Sequence, residues 1–184
     1  MSNDISEVLY SADDIAERVA ALGKEIRDYY LKANINSLLV VSVLRGSVIF
    51  FSDLIRHIDD LDLEFDFMTI SSYGSSTQTC GKADVLFDIS EKVAGRDVLI
   101  VEDIIDTGIT MAAVFKRFET KGVKSLKLCT LLDKPARRKV PDLKIDFCGF
   151  HVPDQFIVGY GLDYAGRYRQ LPYIGVLAPS VYQK

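Results

Sequence analysis

Apolar residues near the start of the chain recur at intervals of three or four, which is the spacing of one face of a helix. This pattern predicts an amphipathic helix over residues 12–32. Ser11 precedes the segment and Asp14 follows three residues later, a pair typical of a helix-capping box. The apolar positions that define the face are Ile15, Val19, Leu22, Ile26 and Tyr30. We expect this helix to pack on one face of a sheet.

Further along, the pattern changes to short, continuous apolar runs separated by helical segments. Residues 38–43 form a β-branched run typical of a strand that is covered on both faces, and therefore of a parallel sheet. Similar runs predict strands over residues 65–70, 85–87, 98–101, 126–132, 145–150 and 156–160. Helices are predicted over residues 48–57 and 110–121, the second closed by Gly122.

The alternation of strands and helices predicts an α/β fold with a mostly parallel central sheet flanked by helices. Neither an internal repeat nor a Pro/Gly-rich linker interrupts the sequence. We therefore expect residues 1–184 to form a single domain. In such sheets, ligands bind beyond the carboxyl ends of the strands.

Composition and charge exclude several classes of protein. The chain has 22 Lys and Arg against 26 Asp and Glu, a net charge of −4, which disfavours non-specific nucleic-acid binding. Disorder is disfavoured because 48% of the residues are apolar. Because no apolar run reaches the roughly 18–20 residues of a membrane helix, we expect no membrane partner. The acidic first ten residues do not resemble a signal peptide, so we expect a cytoplasmic protein.

The three cysteines are odd in number and widely spaced, which predicts neither a disulfide framework nor a CxxC metal site. We expect Cys129 and Cys148 to be buried as small apolar residues, and Cys80 to lie in a polar loop. The two histidines, His57 and His151, fall in separate segments and leave little material for a histidine-based metal site.

The segment that carries the chemistry begins at the end of the predicted strand 98–101. Glu102 and Asp103 follow this strand directly, and a turn over residues 106–110 leads into a helix. A turn of small residues at a helix N-terminus binds phosphate, because its N–H groups are unpaired and the helix dipole is positive there. Gly108 lets the backbone approach a ligand closely.

An ordinary strand–turn–helix connection, with Asp106 or Thr107 as the N-cap, is the simpler interpretation. It does not explain why Glu102 and Asp103 crowd a place that suits an anion. The conflict disappears if the carboxylates bind sugar hydroxyls, or if Mg²⁺ joins them to phosphate oxygens. The segment therefore favours a phosphorylated sugar as ligand, although it matches neither the GxxxxGK[ST] nor the GxGxxG phosphate-binding pattern.

Residues 102–110 resemble the phosphoribosyl-pyrophosphate (PRPP) motif of type I phosphoribosyltransferases. In the form VEDIIDTG, they are similar to the hypoxanthine-guanine phosphoribosyltransferases in particular. Residues 44–47 resemble the pyrophosphate loop of that family, and residues 72–74 the start of its mobile loop. Residues 132–134 and 153–164 resemble its purine-binding hood. The resemblance covers roughly residues 8–180.

The resemblance implies the type I phosphoribosyltransferase fold, with a small hood over the active site formed by N- and C-terminal segments. It implies purine salvage, in which N9 of hypoxanthine, and of guanine, attacks C1′ of PRPP and pyrophosphate leaves. The implied cofactor is Mg²⁺, and the implied assembly is a homodimer or homotetramer. The partners are then small-molecule substrates, with no nucleic acid.

The resemblance also assigns roles to individual residues. Asp106 is the expected general acid/base near purine N7. The expected ligands of the PRPP phosphate and ribose are Glu102, Asp103, Asp106, Thr107, Gly108, Ile109 and Thr110. The expected pyrophosphate ligands are Arg45, Gly46, Ser72, Tyr73 and Arg169. The expected purine-site residues are Lys134, Phe156, Ile157 and Asp163, and the expected metal ligands are Glu102, Asp103 and Asp163.

Lys134 and Phe156 have simpler alternatives, and one segment departs from the family's pattern. Lys134, which would read a 6-oxo group, is otherwise an exposed lysine in a charged turn. Phe156, which would stack on the purine, is otherwise a core residue. Residues 45–47 read Arg-Gly-Ser where mammalian relatives have Lys-Gly-Gly, so the side-chain contact to pyrophosphate can differ.

The sequence does not rank hypoxanthine, guanine and xanthine as substrates. A regulator that binds PRPP without turnover is the alternative of a different class. Such a protein would not need Asp106 and would more often carry a basic surface, so Asp106 and the net charge of −4 favour an enzyme.

Overall fold

The computed structural model describes residues 4–71, 84–89 and 93–183. These residues form nine strands and four helices, and a short 3₁₀ turn covers Pro135–Arg137. The strands are β1 (Ile5–Tyr10), β2 (Ser37–Leu44), β3 (Asp62–Ser71), β4 (Asp84–Phe87), β5 (Asp97–Ile105), β6 (Ser125–Asp133), β7 (Phe147–His151), β8 (Ile157–Val158) and β9 (Ile174–Leu177). The helices are α1 (Ala12–Lys32), α2 (Val48–Ile55), α3 (Ile109–Thr120) and α4 (Pro179–Tyr182).

The main sheet has six strands in the order β4-β3-β2-β5-β6-β7. All neighbours in it are parallel except β3 and β4, which are antiparallel. Alternate side chains of the central strands enter two separate apolar clusters, so both faces of the sheet are buried. Helices α1 and α2 contribute to one cluster and α3 to the other, which confirms the predicted parallel sheet flanked by helices.

Helix α1 begins and ends where its sequence pattern predicts. Ser11 Oγ accepts the Asp14 N–H at 3.1 Å, and Asp14 Oδ2 accepts the Ser11 N–H at 2.9 Å, which completes the capping box. The predicted apolar face is fully buried among the described residues. Helix α2 ends two residues earlier than predicted, at Ile55, and the predicted short strand near Val85 is observed as β4.

A second sheet of three antiparallel strands, in the order β1-β9-β8, joins the beginning and the end of the chain. Ile5 pairs with Leu177, and Tyr10 pairs with Ile174. The strand predicted over residues 156–160 is wrong in length and place, because only Ile157 and Val158 are extended and they belong to this second sheet. β1 and β9 were not predicted, since neither shows a clear strand pattern and their pairing joins residues far apart in sequence.

Two smaller expectations have mixed outcomes. Cys129 is buried, as predicted, but Cys148 is only half-buried, because β7 is the edge strand of the main sheet. Cys80 lies outside the described residues. Among the residues that the structure describes, no helix combines the length and the apolar character needed to cross a membrane.

Candidate active site

The turn between β5 and α3 leaves the start of a helix open. Gly108 is the N-cap residue, with φ of +81°, and its position has no side-chain cap. Thr107 Oγ1 accepts the Ile109 N–H only at a long 3.4 Å, and Asp106 does not cap the helix as the simpler interpretation required. Because the first turn also carries no acidic residue, its N–H groups and dipole remain available to an anion.

Two cavities meet beside this turn. The first, about 550 Å³, contains the turn residues Asp106, Thr107, Gly108 and Thr110 together with Arg45 and Gly46. The second, about 570 Å³, is lined on the hood side by Lys134, Phe156, Ile157 and Asp163. Both cavities share one wall, formed by Asp103, Ile104, Asp106 and Arg137. The structure thus brings most of the predicted phosphate, pyrophosphate and purine residues to one continuous site.

Two carboxylates stand at the carboxyl end of β5 with little positive charge around them. Glu102 Oε2 is buried and has no hydrogen-bond partner among the described residues. Burial, and then the charge of Asp103, raise the pKa of Glu102 well above its ordinary value. Burial likewise raises the pKa of Asp103 to about 6, against the effect of the Ile104 N–H, which Asp103 Oδ1 accepts at 2.9 Å. An uncompensated buried carboxylate is costly, so this pair indicates a site that a ligand completes.

The predicted pyrophosphate loop passes directly over Asp103. A Cβ added to Gly46 would lie 1.6 Å from Asp103 Oδ2, so any side chain at this position requires the loop or the carboxylate to move. On the other side, a Cβ added to Gly161 would lie 2.1 Å from the Gly46 carbonyl oxygen. The peptide bond between Leu44 and Arg45 is cis. The Gly46 backbone is therefore enclosed between the β5 carboxylates and the loop after β8.

Arg169 and Asp163, which both lie in the loop between β8 and β9, are paired with each other. Arg169 Nη1 donates to the Gly161 carbonyl at 2.6 Å, and its Nη2 lies 2.7 Å from Asp163 Oδ1. Asp163 Oδ2 accepts the Gly166 N–H at 2.7 Å. Each predicted role, pyrophosphate binding for Arg169 and metal binding for Asp163, would require this internal pair to separate or to share its partners.

Asp106 lies between the two cavities and is only half satisfied. Its Oδ2 is 3.2 Å from Nη1 of Arg137, whereas its Oδ1 is buried without a hydrogen-bond partner among the described residues. Arg137 also approaches Asp154, with Nε 3.7 Å from Oδ1. The free Oδ1 is thus the atom of Asp106 that is available to a ligand.

Lys134 is buried, not exposed as its simpler interpretation supposed. Its Nζ donates to the Gln155 carbonyl at 2.6 Å. Burial lowers the pKa of Lys134, while the negative charges of Asp106 and Asp154 act in the opposite direction. A buried ammonium with one fixed acceptor has donors left for a ligand oxygen in the hood cavity.

The aromatic side chains of the hood form a small stack. Phe156 is 37% exposed, and its ring lies 5.0 Å from the ring of Tyr182 at an angle of 28°. Tyr164 meets Phe156 edge-on at 5.3 Å. Phe156 is therefore not a core residue, and Ile157 beside it is buried.

Sequence reasoning did not assign a site role to Arg137, Gln155, Gly161 or Tyr182. Arg137 and Gln155 fall in or near segments that resemble the family. The contact of Gln155 is made by its backbone carbonyl, which every residue type has, so the sequence cannot reveal it. Tyr182, in α4, gave no signal at all. Ser72 and Tyr73, predicted to bind pyrophosphate, lie outside the described residues.

The donor set at the carboxyl end of β5 fits Mg²⁺. Glu102 and Asp103 supply carboxylate oxygens, the ligands that hard divalent cations prefer, and Asp163, from the loop after β8, offers a further carboxylate if it separates from Arg169. The observation that supports a cation here is Glu102 Oε2, which is buried and has no partner among the described residues.

Comparisons with known proteins point to the same family as the residues of this site. Residues 7–165 match the family model of the phosphoribosyl transferase domain. The chain is 50% identical to the hypoxanthine-guanine phosphoribosyltransferase of Bacillus subtilis, over all of this chain and 99% of that protein. It is 48% identical to the hypoxanthine phosphoribosyltransferase of Escherichia coli, over 92% of this chain and 93% of that protein. The crystal structure of a hypoxanthine phosphoribosyltransferase from Staphylococcus aureus superposes with a TM-score of 0.92 at 42% identity, covering 100% of this chain and 97% of the other.

Proposed function

The chain belongs to the phosphoribosyl transferase domain family, and from that premise we propose that it transfers the 5-phosphoribosyl group of PRPP to a 6-oxopurine. The acceptors are hypoxanthine and guanine, and the products are the nucleoside 5′-monophosphate and pyrophosphate. This is the reaction that the names of its relatives from Bacillus subtilis and Escherichia coli indicate for those proteins.

The observation that carries this proposal is the shared wall of the two cavities. A ligand with a phosphate in the first cavity and a base in the second must pass its reacting carbon along Asp103 and Asp106. The distance between the substrates is then set by the protein, which removes much of the entropic cost of bringing them together. A phosphorylated sugar joined to a planar base fits this pair of cavities.

On the phosphate side, the N–H groups of the first turn of α3 bind the 5′-phosphate, with the hydroxyls of Thr107 and Thr110 as additional donors. Glu102 and Asp103 bind the ribose hydroxyls. Arg45 and the Gly46 backbone bind the departing pyrophosphate, and Arg169 adds a guanidinium suited to phosphate oxygens once it parts from Asp163.

On the purine side, Lys134 donates a hydrogen bond to the 6-oxo group. A lysine carries no acceptor, so it offers nothing to the 6-amino group of adenine, and the pocket selects oxopurines. Phe156 supplies an aromatic face for the base, and Ile157 contributes backbone contacts to its edge. Tyr182, stacked against Phe156, closes the aromatic side of the cavity.

Asp106 is the general acid/base of the proposed reaction. Formation of the bond at N9 makes the ring more acidic, and the unpaired Oδ1 of Asp106 accepts or shares a proton at N7. Arg137, on the other oxygen, holds the carboxylate in place while this happens.

Mg²⁺ is the proposed metal, held by Glu102, Asp103 and Asp163. When bound, it supplies positive charge that offsets the phosphate oxygens of PRPP. Without the metal, the carboxylates of this site repel the phosphates of the substrate. The charge of the bound cation therefore explains how a protein with a net charge of −4 binds a polyanion.

Three further predictions remain part of this proposal. We expect residues 1–184 to act as one domain with a hood built from its N- and C-terminal segments. We expect a homodimer or homotetramer in solution, which light scattering measures directly. A cytoplasmic location also stays a prediction.

The proposal is tested by incubating the protein with PRPP, Mg²⁺ and each of hypoxanthine, guanine, xanthine and adenine, and by measuring nucleoside monophosphate and pyrophosphate together. We expect equal amounts of both products with hypoxanthine and guanine, and none with adenine. A protein that binds PRPP but turns over no base would be a regulator, not an enzyme. Turnover with adenine alone would refute the role of Lys134.

A further inference from the structure

Three potential metal ligands converge on the outer edge of the main sheet, outside the PRPP and purine cavities. Asp133 ends β6, and Cys148 and His151 belong to the neighbouring edge strand β7. The parallel register places Asp133 opposite His151 and Thr130 opposite Cys148. One ligand atom from each of Asp133, Cys148 and His151 lies within 4.8 Å of the other two, and His151 Nδ1 is 3.2 Å from Asp133 Oδ2.

These separations match those of zinc ligands. Zinc binds nitrogen, oxygen and sulfur at about 2.0–2.3 Å in a tetrahedron, which puts its ligand atoms roughly 3.3–3.8 Å apart. The Nδ1–Oδ2 distance is already close to this spacing, and the 4.8 Å limit leaves only a small approach for the thiol. The three side chains therefore need little movement to bind one ion.

We propose that Asp133, Cys148 and His151 form a zinc site whose fourth position is open to water. The ligand set supports zinc over magnesium, because imidazole nitrogen and thiolate sulfur are poor ligands for a hard cation. Three protein ligands with water in the fourth position is a coordination that zinc adopts in proteins at sites open to solvent or substrate. This site is separate from the Glu102 and Asp103 carboxylates, and the proposal does not depend on the proposed function.

The surrounding charges set how tightly the ion is held. Arg138 is paired with Asp133 through Oδ1, which leaves Oδ2 to the metal but places a cation nearby. The Cys148 thiol, a weak donor to the Phe150 carbonyl at 3.7 Å, must release its proton on binding. Burial and the charge of Asp133 raise the pKa of Cys148 to about 11, so zinc binding strengthens as the pH rises.

A bound zinc ion would join the carboxyl ends of β6 and β7 beside the purine site. Asp133 directly precedes Lys134, and its carbonyl accepts the Val152 N–H at 2.9 Å. The His151 carbonyl accepts Tyr10 Oη–H at 3.2 Å, which joins the end of β7 to β1 of the second sheet. The ion would thus tie β7 to the segment that presents Lys134.

The first test is equilibrium dialysis of the whole chain against Zn²⁺ under reducing conditions, with excess Mg²⁺ to fill the hard-oxygen sites. The starting protein carries Cys80→Ser, so that Cys148 and the buried Cys129 are its remaining thiols. We expect one equivalent of zinc, with affinity reduced at least about tenfold in His151→Ala and in Cys148→Ser. His57→Gln is the matched control, since His57 is the other histidine and glutamine keeps the Cβ against which Gly23 packs.

Co²⁺ as a probe then identifies the sulfur ligand. We expect a thiolate-to-cobalt charge-transfer band that is absent in Cys148→Ser and present in His57→Gln. The His151 side chain is 71% exposed, so His151→Ala keeps its thermal stability and remains informative if Cys148→Ser unfolds. Three results overturn the proposal: no bound zinc, zinc bound equally by His151→Ala, or cobalt bound without the thiolate band.

Discussion

The phosphate side and the purine side of the site are built in opposite ways. The phosphate side comes mainly from one stretch of chain, residues 102–110, where Glu102 and Asp103 are half-buried and Glu102 Oε2 has no hydrogen-bond partner among the described residues. The purine side is assembled from residues far apart in sequence, and its charged groups already have partners. Lys134 bonds the Gln155 carbonyl, and Arg137 lies between Asp106 and Asp154.

This difference shows how each side receives its ligand. The phosphate side has an excess of negative charge and polar atoms without partners, so PRPP and its cation complete it. On the purine side, Lys134 gives one of its remaining donors to the base, which provides selectivity with little change in charge. Asp106 belongs to both sides, because Arg137 holds one of its oxygens and the other has no partner among the described residues.

The largest effect is expected where the two sides meet. Asp106→Asn removes the proton acceptor but keeps the shape, so we expect the rate of the chemical step to fall about 10²- to 10⁴-fold in single-turnover assays. The affinity for PRPP should change far less. Asp154→Asn, which removes the other carboxylate near Arg137, is the matched control and should lose much less rate. An unchanged chemical rate in Asp106→Asn would remove Asp106 from proton transfer.

A second variant tests the geometry of the phosphate side. Gly46→Ala places a methyl group 1.6 Å from Asp103 Oδ2, so the loop or the carboxylate must move. A displacement of about 1 Å at a reacting site costs roughly 10²-fold, and we expect a loss of this size in kcat/KM for PRPP.

Gly95→Ala is the matched control for Gly46→Ala. Gly95 has φ of +72° and open space around it, so its variant should cost about 1–2 kcal/mol of unfolding free energy and keep its activity. Full activity in Gly46→Ala would mean that Gly46 does not need to lie against Asp103 during turnover.

On the purine side, Lys134→Met keeps most of the volume and removes the donor. A hydrogen bond from a charged group contributes about 1.5–3 kcal/mol, so we expect the KM for hypoxanthine to rise roughly 10- to 100-fold while the KM for PRPP stays nearly constant. Lys144→Met, at a side chain that is 74% exposed, is the control and should leave both constants unchanged. A rise in the KM for PRPP equal to that for hypoxanthine would contradict the separation of the two sides.

The smallest effect is expected from the aromatic stack. Aromatic pairs contribute about 0.5–1.5 kcal/mol, so Tyr182→Ala should raise the KM for the purine by about two- to tenfold without changing the chemical rate. Tyr182→Phe should restore the original value, because the ring alone stacks on Phe156. Failure of Tyr182→Phe to restore the KM would assign the effect to the hydroxyl group.

The same contrast decides what could be predicted from the sequence. The local strand–turn–helix geometry of the phosphate side was predicted closely, because the buried strand, the two acidic residues and the glycine-containing turn are adjacent in the chain. Gly108 replaces Asp106 or Thr107 as the N-cap, a detail that depends on the exact φ of the turn. The two-sided sheet was also predicted, since continuous apolar runs specify burial on both faces.

The purine side could not be predicted in the same way from local pattern. The second sheet pairs Ile5 with Leu177, and a local sequence pattern cannot predict a strand partner so far away along the chain. The acceptor for Lys134 is the carbonyl of Gln155, which any residue could provide. Cys148 was predicted only as a small buried apolar residue, yet the pairing of β6 with β7 brings it and His151 close to the carboxylate of Asp133.

The central claim is that the phosphate side has too little positive charge to hold PRPP tightly until a bound cation adds to it. Calorimetric titration of PRPP into the protein, once with Mg²⁺ and once with a chelator, tests this directly without any purine. Coupled ligands typically change each other's affinity about 5- to 150-fold, and we expect PRPP to bind at least about tenfold more tightly with Mg²⁺. Equal affinity under both conditions would contradict the account.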